Sequence, residues 1–470
     1  MAPSLSPTHV TSKSTELELN HHFRTRMVQI FLDELNAEFW QRSVLQASHS
    51  EAAVWHASNS VAGFTWAQDL SRRGELDAAN RMVKESIKQR GLSIKRTHLM
   101  AQSPRLSAQA MAVMLVASAL LSLTPPAPGS SQDSSQILLE QSFQLVRYWR
   151  FWENVDSGPS STLATHLLYY FVKGERMMQE SALETRQEPL DTWYEAISWL
   201  QRHPLTSAVR AYVELEMIWS SVRSILERLP FKPTTADVAS AIKTRSILGR
   251  KFAVWEARFD ALPSSTVMVT SRGRAVLSAR CNLLKISLRL DLSKFTGLWD
   301  EICGDEFFPE FSDTLDLLLL GLAEDDGSRS QSQDAHAFSP LHWNALNFIA
   351  RVCREPLLRC RAASLLGASL RAMVRSKLPA TAEETSIGGK SNSPLLADRI
   401  IELEEGAYTD CCSKPQKCRR GQYICNMHRV ARVQLVRLAV NATYTLYTVE
   451  DILNGGPGRT IQLGRVAVWS

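Results

Sequence analysis

Cysteine is scarce in this chain and missing from its first half: the first of eight is Cys281, in 470 residues. So thin a set makes no disulfide scaffold and fits a reducing, intracellular compartment. Long apolar runs are missing too. The most apolar segment, AMAVMLVASALLSL from Ala110 to Leu123, meets Pro125-Pro126 before it reaches the ~20 residues a membrane helix needs. It reads as a buried helix whose alanines suit close packing, and no membrane contact is expected. The N-terminal MAPSLSPTHVTSKSTELELNHH lacks an apolar core, so it is not a signal peptide. Residues 1–22 are expected to form a disordered tail.

Enzyme motifs are also lacking. No H-E-x-x-H, G-x-S-x-G or G-x-G-x-x-G occurs. Gly388-Gly389-Lys390-Ser391 ends like a phosphate-binding loop, but Glu384 stands where that loop needs its first glycine. The segment GGPGRT (Gly455 to Thr460) has the wrong spacing, with Arg459 in place of lysine. The sequon at Asn441 means little without secretion. No catalytic residue, cofactor or metal site is assigned.

What is present is helical patterning. Hydrophobic residues make up 44% and charged residues 21%, a globular balance, and the net charge of +5 is spread thinly. At this length two or three packed units or one long helical array are expected. In ELDAANRMVKESIKQRGL, Leu76, Ala79, Val83 and Ile87 recur at helical spacing, and Gly91 is placed as a C-cap. Leu277, Cys281, Leu284 and Leu288 make a second stripe, and Trp255 and Phe259 stand one turn apart. Breaker-rich stretches at 124–135, 323–338 and 378–394 read as loops between helices. Near the end, VQLVRLAVNATYTLYTVEDI carries β-branched and aromatic residues, then Asn454-Gly455-Gly456 supplies turn chemistry before TIQLGRVAVWS. This reads as a short C-terminal β-hairpin, or as a last helix followed by a strand. The fold class is therefore all-α, an array of antiparallel helices with a short C-terminal β-hairpin.

The run AEFWQRSVLQASHSEAAVWHASNS, from Ala37 to Ser60, gathers two histidines and a glutamate. Ser48-His49-Ser50-Glu51 spells a capping box, with one helix ending near Ala47 and the next starting at His49. His49 and Glu51 then point to different faces. His49 and His56 lie two turns, roughly 10 Å, apart. A helix junction is favoured over a metal or catalytic cluster.

FW-x-x-x-V-L-Q-x-S-H-S-E-x-A-V-x-H-A resembles the opening signature of the fungal-specific regulatory domain of zinc-cluster transcription factors. NALNFIARVCREPLLRCRAASLL (Asn344 to Leu366) is similar to a later segment of that family. RIIELEEG (Arg399 to Gly406) followed by MHRV (Met427 to Val430) makes a third match, in the family's order. The resemblance implies a helical regulatory domain over 23–405, with 406–470 as a basic, cysteine-containing loop and C-terminal segment of the same domain. Independently of the resemblance, Pro356 fits the first turn of a new helix, with Glu355 at its cap, so Cys353 and Cys360 fall on separate helices as buried structural thiols.

The family carries a six-cysteine zinc cluster as its DNA reader, and this chain shows none: either it is a regulator without its own reader, or the sequence starts at an internal methionine of a longer protein. Cys411, Cys412, Cys418, Cys425 and His428 could ligate zinc by number, but they lack C-x-x-C pairs, and a loop of free thiols is the preferred reading. Lys414, Lys417, Arg419 and Arg420 form a basic cluster that reads as a nuclear localisation signal or a solvated basic loop. The resemblance implies a nuclear transcription regulator of fungal pathway genes, secondary-metabolite clusters included. Its partners would be other transcription factors or co-regulators, and it would contact DNA only indirectly. The other reading is a non-nuclear helical interaction scaffold derived from that domain.

Overall fold

The computed structural model describes residues 14–31, 35–103, 105–124, 134–155, 161–181, 191–229, 234–262, 271–292, 307–323, 340–353, 355–377, 393–404, 428–437 and 441–465. The fold is all-α with a small antiparallel sheet at the C-terminal end. The chain divides into two compact units. As far as residues are described, the first comprises Met1–Gln179 and Glu195–Pro204, and the second Glu180–Tyr194 and Leu205–Trp469. The division falls inside the stretch 23–405 that was expected to be one domain.

The first unit opens with α1 (Ser14–His22), a π-helical turn (Phe23–Met27) and α2 (Val28–Phe31). The disordered tail expected over 1–22 is thus corrected from Ser14 on: Leu19 is fully buried, and Glu16 and Asn20 are nearly so. A second π-helical turn (Phe39–Val44) leads into α3 (Leu45–Ser50), α4 (Ala52–Arg72) and α5 (Leu76–Ala101). The Phe39 ring stacks on His166 at 5.8 Å, and Trp40 meets Tyr170 edge-on at 6.2 Å. These two aromatics hold the entry to the α3–α4 junction against the later helices.

That junction exists, but its chemistry differs from the expected capping box. Ser48 is buried within α3 and donates its hydroxyl to the Leu45 carbonyl at 2.7 Å. Helix α3 therefore continues to Ser50. Glu51 takes extended backbone (φ −121°, ψ 113°) and becomes the N-cap of α4, without a side-chain cap bond.

Helix α5 also departs from expectation. It runs through Gly91 to Ala101 instead of stopping there. Ser93, Gln89 and Ser86 on α5 face the backbone and side chains of α4, so tertiary contact continues past the glycine. Of the expected core stripe, Ala79 is buried, whereas Leu76 and Ile87 are exposed.

Helix α6 (Ala108–Leu121) starts at Ser107, whose hydroxyl accepts from the Ala110 N–H at 3.1 Å. It is buried almost all round, as its composition requires. Among the described residues no helix is long and apolar enough to cross a membrane. Helices α7 (Ser134–Tyr148), α8 (Ser161–Ser181) and α9 (Asp191–Leu200) follow, with a 3₁₀ turn at Phe151–Asn154; only the part of α9 from Glu195 on belongs to the first unit.

The second unit contains α10 (Ala208–Arg228), α11 (Thr235–Asp260), α12 (Ser271–Arg289), α13 (Phe308–Ala323), α14 (Pro340–Val352), α15 (Pro356–Lys377) and α16 (Ser393–Glu404). A full capping box, Thr234 with Asp237, starts α11. The Trp255 and Phe259 rings stack at 4.9 Å, and Trp255 Nε1 donates to the Ala211 carbonyl at 2.9 Å. Leu277, Cys281 and Leu284 are buried as a stripe.

The run expected to be one strand is two strands, β1 (Val430–Arg437) and β2 (Asn441–Thr448), with α17 (Val449–Asn454) after them. Thr448 and Asp451 form the capping box of α17, and Gly455 ends it in the left-handed region (φ 69°). β3 (Arg459–Arg465) then returns antiparallel to β2, giving the expected pairing plus one extra strand in the order β1-β2-β3. Val430 and Leu446 pack with Ile400 and Leu403 of α16, so the sheet closes onto the helices of its own unit.

Candidate functional site

Pro356 occupies the first position of α15, where its missing N–H costs nothing. Glu355 caps the helix by accepting from the Leu358 N–H at 2.6 Å. One turn in, α15 turns Arg359 inward. Its Nε donates to the Ala350 carbonyl of α14 at 3.0 Å, and its Nη2 lies 2.6 Å from Glu404 Oε2 at the end of α16. Glu404 also accepts from the Val430 N–H at 2.7 Å, and Arg429 Nη1 stands 3.6 Å from the same carboxylate. Arg429 Nη2 donates to the carbonyls of Arg351 and Val352 at 2.9 and 3.0 Å.

Two guanidinium groups therefore share one carboxylate, with both arginines wholly buried. The surplus positive charge sits against the carbonyl end of α14, where the helix dipole is negative. This knot joins α14, α15, α16 and β1. Cys353 lies beside it. Burial pushes its thiol up to about 11, against the opposing pull of Arg359 and Arg429. At neutral pH it stays protonated and makes a poor nucleophile. Cys281 is pushed up to about 12, again chiefly by burial. Cys360, expected to be buried, is exposed, because it sits on the outer side of α15 from Arg359.

Among the described residues, two further buried acids of the second unit are paired with arginines. Glu214 lies between Arg258 (2.6 Å) and Arg210 (3.4 Å), and burial still raises its carboxyl above the ordinary range. Glu216 pairs with Arg280 at 2.6 Å, and that guanidinium covers the Trp219 ring at 5.0 Å. Each acid is engaged by arginine, which suits fastening rather than proton transfer.

In the first unit the two histidines of the opening run go separate ways. His49 stays near Trp55, with ring centroids 6.3 Å apart. His56 Nδ1 lies 2.6 Å from the Gln89 amide oxygen, so that nitrogen carries the proton and donates. Gln89 Nε2 donates onward to Glu16 at 3.0 Å and Glu85 at 2.9 Å. This polar chain is a seam among α1, α4 and α5. Gln89 and Glu16 carried no sequence signal, because a lone polar residue on a helix reads as solvated until its neighbours are known. Arg359, Glu404 and Arg429, by contrast, each stand inside a quoted segment of the resemblance.

Lys414, Lys417, Arg419 and Arg420 lie outside the described residues, as do Cys411, Cys412, Cys418 and Cys425. His428 is described and buried, and burial lowers its pKa although Glu450 raises it. Among the described residues no group of three or more His, Cys, Asp or Glu side chains is placed to hold a metal ion. No protein-family model, curated protein or solved structure matches the chain.

Proposed function

We propose that this chain is a nuclear transcription regulator of the fungal-specific regulatory-domain type, whose helical body acts through protein contacts. The observation that carries this reading is the Arg359–Glu404–Arg429 knot. The second and third segments of the resemblance lie far apart in sequence, and their charged residues meet in one buried cluster. Segments that share a buried ion pair have reason to persist together, whatever loops separate them. The mildly basic charge of +5 is compatible with a nuclear role. In this reading the helical body binds a transcription factor or co-regulator and sets the output of a DNA-bound complex. Lys414, Lys417, Arg419 and Arg420 serve as its import signal.

Fusion of the full chain to an unrelated sequence-specific DNA-binding domain, with a reporter behind that domain's site, tests the proposal. A change in reporter output, up or down, is expected, and it should be lost when Glu404→Gln disrupts the knot. A fluorescent fusion should be nuclear and should leave the nucleus when the four basic residues become alanine. A silent reporter with a cytoplasmic fusion would favour the non-nuclear scaffold instead.

A further inference from the structure

Helix α5 is buried along one side only. Its inner side meets α4 through Ser93, Gln89, Ser86 and Ala79. Its outer side carries large apolar residues in the open: Leu76 is 61% exposed, Ile87 41% and Ile94 46%. With Val83, which is half-buried against the Ala67–Leu70–Ala79 cluster and so ties this line to the edge of the α4 contact, they fall at 76, 83, 87 and 94, steps of seven, four and seven that repeat the a/d seam of a coiled coil. Ile87, Arg90, Gly91 and Ile94 stand at i, i+3, i+4 and i+7, the four corners of a hole for a partner's side chain. Gly91 leaves that hole open, since nothing lies within 4 Å of where its Cβ would be. A glycine inside an exposed helix costs about 1 kcal/mol relative to alanine, which the fold alone does not call for.

The charge on this helix is one-sided. Arg81, Lys84, Lys88, Arg90, Lys95 and Arg96 face only Asp77 and Glu85. Glu85 is engaged by Lys88 and Gln89. Arg81, Lys84, Lys95 and Arg96 are exposed and have no acidic partner among the described residues. At 100° per residue, Lys84, Lys95, Lys88 and Arg81 form a strip along one flank of the apolar line.

We propose that the outer face of α5 is a docking surface for an acidic amphipathic helix of a partner protein. Such a helix would seat apolar residues on Leu76, Val83, Ile87 and Ile94 and bring carboxylates to the lysine strip. Spacing and charge both point to this occupant. A second copy of the chain would oppose cation to cation along the seam, and like charges at such a contact are unfavourable. A nucleic acid would pair with the cations but would find no use for three exposed aliphatic side chains. The inference does not depend on nuclear function, because a cytoplasmic protein could use the same face.

The probe is a labelled synthetic peptide about three heptads long, with Leu at a and d and with Glu and Ala elsewhere, titrated into the full chain by fluorescence anisotropy. Saturable binding that weakens as salt rises is expected. Ile87→Asp with Ile94→Asp should weaken it by about tenfold or more. Lys84→Glu with Lys95→Glu should weaken it independently and reduce the salt dependence. All four positions are exposed, and Ile87→Ser with Ile94→Ser provides a milder pair should the aspartates disturb the helix. Equal affinity for a scrambled peptide of the same composition would overturn the proposal. So would binding indifferent to both pairs of substitutions. Self-association of the chain that the isoleucine variants abolish, or duplex DNA or anionic vesicles bound through these residues in place of the peptide, would overturn it in favour of another occupant.

Discussion

Glu404 accepts a hydrogen bond from the Val430 backbone while two buried guanidinium groups face its other oxygen. Loss of that one negative charge leaves Arg359 and Arg429 together in a dry interior. Glu404→Gln is therefore expected to lower stability by ~3–5 kcal/mol in urea unfolding, the size of effect seen when one partner of a buried pair is removed. Replacing Arg359, Glu404 and Arg429 together with apolar residues of similar volume should cost less than the single change. His22 makes a second residue-scale case. Its ring stacks on Trp66 at 5.4 Å, and its Nε2 is buried without a hydrogen-bond partner among the described residues. Burial lowers its pKa from the ordinary 6.5; Asp69 opposes the shift, while Arg26 and His21 add to it. The unfolded chain thus takes up the proton first. The stability tied to His22 is complete above pH 6.5 and declines as pH falls through that value toward the lower folded pKa. His22→Phe should flatten the fall in thermal midpoint on acidification, and an unchanged slope would exclude His22 as its source. The arginines and the glutamate were visible in the sequence as members of the second and third segments of the resemblance. Their meeting was not, because spacing along a chain says nothing of which helix ends converge.

Helix α4 passes α5 so closely at Gly63 that an added Cβ would lie 2.9 Å from Ser86 Cβ and 3.3 Å from Ser86 Cα. Gly63→Ala should push the pair apart and destabilise by about 1–3 kcal/mol, and Ser86→Gly in the same chain should restore part of the loss. Gly91 sits in the same helix pair with open space around it. There Gly91→Ala should stabilise by about 1 kcal/mol, so thermal melts of the two alanine variants should shift in opposite directions. Composition alone offered no way to tell these glycines apart. Gly91 followed an apolar stripe and looked like a cap, whereas the contacts of Ser93 and Gln89 with α4 carry the helix onward. The capping box at Ser48–Glu51 failed for a related reason: Ser48 is buried and bonds within its own helix. Where a polar cap remained exposed, as at Thr234–Asp237, the local rule held. At the C-terminal end, β-branched alternation marked the strands, whereas the Thr448–Asp451 capping box inserts α17 between β2 and β3 where the sequence suggested only a turn.

At the scale of the molecule, helical periodicity was enough to read an all-α chain with a terminal strand pairing, since amphipathic stripes are local properties. The division into two units was not readable, because the chain passes between them after Gln179, Tyr194 and Pro204, and the passage at Tyr194 lies inside a helix rather than in a linker. Function is one step further removed: a helical body is a scaffold for many activities, and here it rests on the resemblance and on the knot that unites its segments. The central claim is that the chain regulates transcription from a DNA-bound complex through protein contacts. The most direct test is genome-wide chromatin occupancy of the tagged full chain in its own cells, set beside the binding of the purified chain to the recovered sites. Discrete promoter peaks are expected, together with weak, salt-sensitive and sequence-indifferent binding by the purified chain. Absence of promoter enrichment would contradict the regulatory role, and tight sequence-selective binding by the purified chain would contradict recruitment through a partner.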